Sequence, residues 1–247
     1  MDLFGVALGA DFAVMPNLSA GMMFHVGSGS ADGQGVGSAV KNDFDYYGFG
    51  AYAGYTMDAL TVTADVTWTS TDNDVEANYD LGKMSASMDS KALAVGVTGQ
   101  YDLEFSGVEV SPHAGLRFTR LTLGDYTVAL DNGSAVDYDA EDMNIFSIPV
   151  GVTIGKEYAT ETWTIRPVFD VTLTGNFGDK ESKGTASWSG SNLSADLTSE
   201  ILDGFTWSTS AGVAAQSGNL GMGIGLNYTG SSNVTDFGAN ATVRYVF

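Results

Sequence analysis

The 247-residue chain has no cysteine, which excludes both a disulfide framework and a thiolate-held metal. Basic residues are scarce. Lys and Arg total 10 against 30 Asp and Glu, a formal net charge of −20. That surplus argues against nucleic acid or anionic headgroups as broad partners and confines any basic site to a small patch. Proline occurs four times. No apolar run approaches the roughly 18 residues of a membrane-crossing helix. Met1-Asp2-Leu3 opens directly on strand-like sequence, without a charged segment, apolar core and cleavage site. If the protein is exported, its leader is expected upstream.

What the chain does have is 32 glycines, 11% aromatic residues and alternation of period two. Phe4, Val6, Leu8, Ala10, Phe12 and Val14 share one face, with Gly5, Ala7, Gly9, Asp11 and Ala13 on the other. Leu18, Ala20, Met22, Phe24 and Val26 then alternate with Ser19, Gly21, Met23, His25 and Gly27. The pattern returns near 44–56, 60–70, 91–103, 108–121, 144–157, 162–174, 204–216, 219–229 and 235–247, predicting eleven strands in all. Short connections near 15–17, 57–58, 104–107, 158–161 and 217–218 alternate with connections near 28–43, 71–90, 122–143, 175–203 and 230–234. Most of this second set is long and rich in Gly, Ser, Asn and Asp. Tight turns on one side and long loops on the other are the parity of an outer-membrane barrel.

Composition orients the faces. A water-exposed sheet face would carry Lys, Glu and Arg, whereas the polar face here is mostly Gly, Ser, Thr and Ala. The other face is aliphatic and nearly free of charge at its centre, where an Arg or Lys facing lipid would cost about 2–4 kcal/mol. Aromatics gather near its ends: Tyr47, Tyr55, Trp68, Tyr101, Trp163, Phe205, Trp207, Tyr228, Tyr245 and Phe247. Two aromatic levels match the girdles that sit at headgroup depth. The expected fold is all-β, a transmembrane antiparallel up-and-down β-barrel. The alternative is a soluble barrel or sandwich whose apolar face is its core. Bacterial single-chain barrels have even strand numbers, so a twelfth strand, the first, is expected to be missing from this sequence.

Particular residues then carry a resemblance. "SPHAGLRFTRL" (Ser111–Leu121) resembles a strand of the autotransporter β-domain, with His113 where an aromatic is usual. "IPVGVTIGKEY" (Ile148–Tyr158) and "RPVFDVTLTGNFGD" (Arg166–Asp179) are similar to the strands that follow, and Leu220–Phe247 to the closing hairpin. The resemblance implies a twelve-stranded barrel with a helix in its pore and a secreted passenger before it. It also implies that the first strand, the pore helix and the passenger are absent here, so that 1–247 is the carboxyl-terminal part of a larger protein. No cleavage residue carries over.

Alternation turns Asp11, His25, Asp65, His113, Arg117, Arg166, Asp170 and Arg244 toward the lumen. They form either a mixed-sign wall that holds a translocating segment loosely or internal ion pairs of a narrow barrel; both can hold. Two His without an Asp fixed by local spacing do not make a catalytic site, and no Ser-His-Asp arrangement stands out. Asp137–Asp142 could hold Ca²⁺ but fits no EF-hand spacing, so solvated loops are expected there and at Asp72, Asp74, Glu76 and Asp80. The Gly27–Gly37 run does not link a strand to a helix and is no phosphate loop. Arg120 and Lys183 are candidates to meet outer-leaflet phosphates.

The leading expectation is therefore the translocator barrel of a monomeric autotransporter in the bacterial outer membrane, with neither enzymatic activity nor cofactor. Its expected partners are outer-membrane lipid and lipopolysaccharide, the barrel-assembly machinery and its own passenger, with no nucleic acid. A small porin or adhesin-type barrel working through its loops is the alternative; an outer-membrane protease would need His25 or His113. The ending, "FGANATVRYVF", with Gly238, Val243, Tyr245 and the terminal Phe247, resembles the signal read by the assembly machinery.

Overall fold

The computed structural model describes residues 2–33, 39–79, 82–232 and 235–247, and among these every regular element is a strand. The long strands are β1 (Asp2–Met15), β2 (Leu18–Asp32), β3 (Val40–Met57), β4 (Leu60–Tyr79), β5 (Gly82–Tyr101), β7 (Val108–Leu123), β10 (Met143–Gly155), β12 (Thr164–Gly178), β15 (Phe205–Ser217), β16 (Leu220–Gly230) and β17 (Thr235–Tyr245). Each pairs antiparallel with the next in that order. Short pieces β6 (Leu103–Phe105) and β11 (Tyr158–Ala159) pair onto β7 and β12. At the short-turn end the chain reverses tightly. Ser106 and Gly107, at φ 53° and 77°, make the doubly left-handed turn that suits the twist of a hairpin.

The sheet curls until its ends meet: Arg244 of β17 donates to Asp11 of β1 at 2.6 Å. Those strands run in the same direction, and among the described residues no backbone ladder joins them. Glycine decides which face is concave. A Cβ added at Gly21 would lie within 2.8 Å of the Tyr52 ring, and one at Gly27 or Gly5 would collide with Tyr46. These glycines and tyrosines share the polar face, so bare backbone on one strand accepts a ring from the next where the curl crowds side chains together.

The apolar face is the convex one, and its exposure separates the membrane reading from the soluble one. Val243 is 77% exposed, Phe4 75% and Leu8 72%, while among the described residues the buried apolar side chains are Ala77, Ala94 and Met143. A soluble sandwich would hide this face in its core. Covering each such side chain is worth about 1.5–3 kcal/mol, and a contiguous band of them asks for lipid.

The long connections differ most from expectation. β3, β4 and β5 run 18, 20 and 20 residues, against the about 9–11 that cross a membrane. Residues 122–143 and 175–203 also hold strands: β8 (Tyr126–Leu130), β9 (Ala135–Ala140), β13 (Glu181–Trp188) and β14 (Ser194–Glu200). Ladders link β5 to β8, β8 to β9, β9 to β13 and β13 to β14, forming a wall beyond the barrel. Along these strands the polarity inverts. The face carrying Tyr47, Phe49 and Ala51 on β3 carries Lys41, Asp43 and Asp45 further out, while the other face changes from Gly48 and Gly50 to Phe44 and Val40. β4 passes likewise from Val66 and Trp68 to Asp72, Asp74 and Glu76. The acidic stretches at 72–76 and 137–140 are thus strand rather than loop; Asp80 and residues 34–38 of the Gly-rich run lie outside the described residues.

If the glycine–ring contact sets the curl, Gly21→Val should lower the urea midpoint of the refolded barrel, read from its heat-modifiable gel mobility. Tyr52→Ala should remove most of that added cost. A strictly additive pair would mean that Gly21 does not serve to seat the ring.

Candidate functional site

The lumen wall is built by the inward positions of the long strands, which alternate small residues with a few charges. Arg117 on β7 donates to Asp65 on β4 at 2.8 Å, spanning Gly96 of the intervening β5. Arg166 on β12 reaches Glu109 on β7, with Nε 2.9 Å from Oε2, past Gly155 of β10. Arg244 and Asp11 complete the set. In the first two pairs a glycine on the strand between clears the path. Each lumen arginine is therefore neutralised by a carboxylate.

His113 forms a different cluster. Its Nε2 lies 3.0 Å from Thr172 Oγ1 and 3.8 Å from Asp170, whose two oxygens accept from Thr172 and Thr153 at 2.9 and 2.8 Å. Asp170 holds hydroxyls here and does not orient the imidazole as a base-activating acid would. His25 Nε2 meets Thr69 at 3.1 Å, and its buried Nδ1 has no partner among the described residues. Near the short-turn mouth, Ser111 and Gln100 both donate to Asp102 at 2.7 Å. No group of His, Asp and Glu able to hold a metal ion occurs among the described residues.

The eight lumen candidates thus fall into Asp11–Arg244, Asp65–Arg117, Asp170 beside His113, His25 beside Thr69, and Arg166 with a partner, Glu109, that the sequence reading passed over. Glu109 was findable: it stands two positions before Ser111 on the face that also bears His113 and Arg117. Apart from larger side chains such as Tyr46 and Tyr52, most of the remaining wall is small. Gly221, Gly223 and Gly225 of β16 face it beside Thr242 and Asn240 of β17.

On the convex face, Tyr47 meets the Trp68 edge at 5.7 Å, and Trp207 meets Tyr228 at 5.1 Å. Tyr55 and Tyr101 stand at the short-turn end of their strands. Trp163 lies in a turn, its carbonyl accepting from Thr160 N–H at 2.8 Å. At the chain end Tyr245 and Phe247 pack 5.0 Å apart, Val243 stands opposite Met222, and Gly238 opposite Asn227. Arg120 is on the convex face, paired with Asp142 at 2.7 Å, and Lys183 lies 3.9 Å from Glu181. In the wall, Asp137 is held below the usual carboxylate range by hydroxyls of Ser189 and Thr127.

The sequence profile of the autotransporter β-domain matches residues 1–242. The chain belongs to that family. The fold agrees with three solved members of low identity. The translocator domain of the autotransporter NalP from Neisseria meningitidis superposes with a TM-score of 0.80 at 10% identity, over 98% of this chain and 80% of that one. The β-domain of the Bordetella autotransporter BrkA gives 0.75 at 16%, over 99% and 91%. The transport unit of AIDA-I from Escherichia coli gives 0.67 at 15%, over 99% and 82%. No match was found among curated proteins. As an autotransporter β-domain, the chain is an outer-membrane translocator barrel.

The Arg117–Asp65 pair is partly solvated, with side chains 41% and 22% exposed. A double-mutant cycle with Arg117→Ala and Asp65→Ala should give a coupling of about 1 kcal/mol in urea unfolding, near the upper limit for exposed pairs. Zero coupling would mean that the pair does not brace β4 against β7.

Proposed function

We propose that this barrel threads the carboxyl end of a passenger, encoded ahead of it in a larger protein, through its lumen and anchors that protein in the outer membrane. The carrying observation is the wall itself. Its arginines are already satisfied by carboxylates, and most of the positions between them are Gly, Ser, Thr and Ala. A wall with few unmatched groups can accept many sequences without gripping one. Eight-stranded barrels are filled by side chains and sixteen-stranded ones leave an open channel, so a width between them suits a single segment. Among the described residues no ladder covers the facing edges of β1 and β17, which run in the same direction, and this supports a twelfth strand lying antiparallel between them. In this role the barrel carries out no reaction of its own.

A porin or adhesin-type barrel is the second reading, favoured by the tall external wall. Conductance in planar bilayers separates the two. A translocator carrying its preceding segment should conduct little, and removing that segment should open it. A high conductance unaffected by the segment would overturn the threading reading.

We also propose that Gly238, Val243, Tyr245 and Phe247 are read during barrel assembly, and that the convex aromatics sit against outer-membrane lipid and lipopolysaccharide. Deleting Phe247 should cost the folded barrel little beyond the ring contact with Tyr245, because the residue is fully exposed. It should nevertheless reduce the heat-modifiable fraction in cells several-fold. Unimpaired assembly in cells would rule out the signal role.

A further inference from the structure

The external wall holds an apolar surface that the barrel does not use to fold. Val128, Val136 and Tyr138 share one face of β8 and β9; the β13 and β14 ladders continue it through Trp188 and Leu197, and Leu193 stands in the turn between those strands, its carbonyl accepting from Trp188 N–H at 3.0 Å. Trp188, Leu193 and Leu197 are 44%, 73% and 50% exposed. Beyond β14 there is no further ladder among the described residues. The opposite face of the same sheet is acidic, with Asp137, Asp139 and Asp196 beside Thr127 and Thr185.

Continuity says where the apolar face looks. β5 pairs with β4 without a register break from Gly82 to Tyr101. Its positions Gln100, Thr98 and Gly96 line the lumen, and strict alternation carries that side up to Met84, which pairs with Leu130 of β8. The apolar face is therefore the upward extension of the lumen wall, beyond the level at which convex side chains turn from Trp68 to Asp72.

We infer that this face docks the exported polypeptide as it leaves the lumen, holding an extended segment by its apolar side chains before that segment folds. The inference rests on the translocator reading. Lipid is a poor occupant, because the sheet here stands past the polarity inversion and its outer side is carboxylate. A second copy approaching from outside would meet that same acidic side. An emerging chain meets the apolar face first, since the surface begins where the lumen ends. Its side chains lose contact with water on both sides of the contact, which is what an unfolded apolar segment gains from docking.

The test uses the full-length protein in cells. A photo-reactive p-benzoylphenylalanine at Leu197 should crosslink to the passenger during export, and one at Thr185, on the acidic face, should not. Leu193→Ser with Leu197→Ser should slow the appearance of protease-accessible passenger at least about threefold, with heat-modifiable barrel unchanged. Equal crosslinking from both faces, or crosslinks from Leu197 only to lipopolysaccharide or a second barrel, would overturn the inference. So would an unchanged export rate in a fully assembled double variant. If the parent protein exports no passenger at all, the translocator reading falls and this inference with it.

Discussion

Everything in this structure answers to one requirement: in hydrocarbon, each backbone N–H and C=O must find its partner within the sheet. The ladders meet it with long uninterrupted registers, such as β4 on β5 from Leu60↔Tyr101 to Tyr79↔Gly82. Unbroken pairing fixes which side chains share a face, and a curled sheet then crowds the inner ones. Glycine relieves the crowding where Tyr46 and Tyr52 lean across a neighbouring strand, and again where an arginine must cross one. The lumen chemistry is a consequence of backbone pairing rather than an addition to it.

That dependence explains what could be read from sequence. Strand faces follow from period-two alternation, so the lumen set and the convex set follow from local pattern alone. Partners do not. Arg166 and Glu109 are 57 positions apart, and His113 and Thr172 are 59, distances that only the strand order closes. The wall strands were hidden for another reason. Beyond the membrane the convex face becomes charged and the concave face apolar, so alternation continues in the opposite phase. A rule that equates apolar with outward reads Asp72–Glu76 and Asp137–Ala140 as loop.

The ion pairs show how a translocation lumen can be both braced and permissive. An arginine left alone in a narrow lumen would seek carboxylates on any chain passing through. Paired at 2.6–2.9 Å with Asp11, Asp65 and Glu109, the three have met that demand within the wall. Their stabilising effect is modest because water reaches them, but so is their attraction for cargo. Fixed charge that is matched internally imposes little sequence preference on what goes through.

The seam between β1 and β17 is where the governing requirement is least met. β1 is exposed along its whole length, and β17 nearly so, whereas the strands further into the sheet alternate between covered and uncovered positions. The Asp11–Arg244 bridge holds the two edges near each other but supplies no backbone partners. Unsatisfied peptide groups facing lipid cost several kcal/mol apiece, far more than one partly exposed ion pair returns. Because both strands run the same way in an otherwise antiparallel sheet, a direct β1–β17 ladder would break the pattern that every other pair obeys. Whatever satisfies these edges in the membrane must run opposite to both. It must also place small residues inward at the level of Asp11 and Arg244, where the bridge now occupies the space.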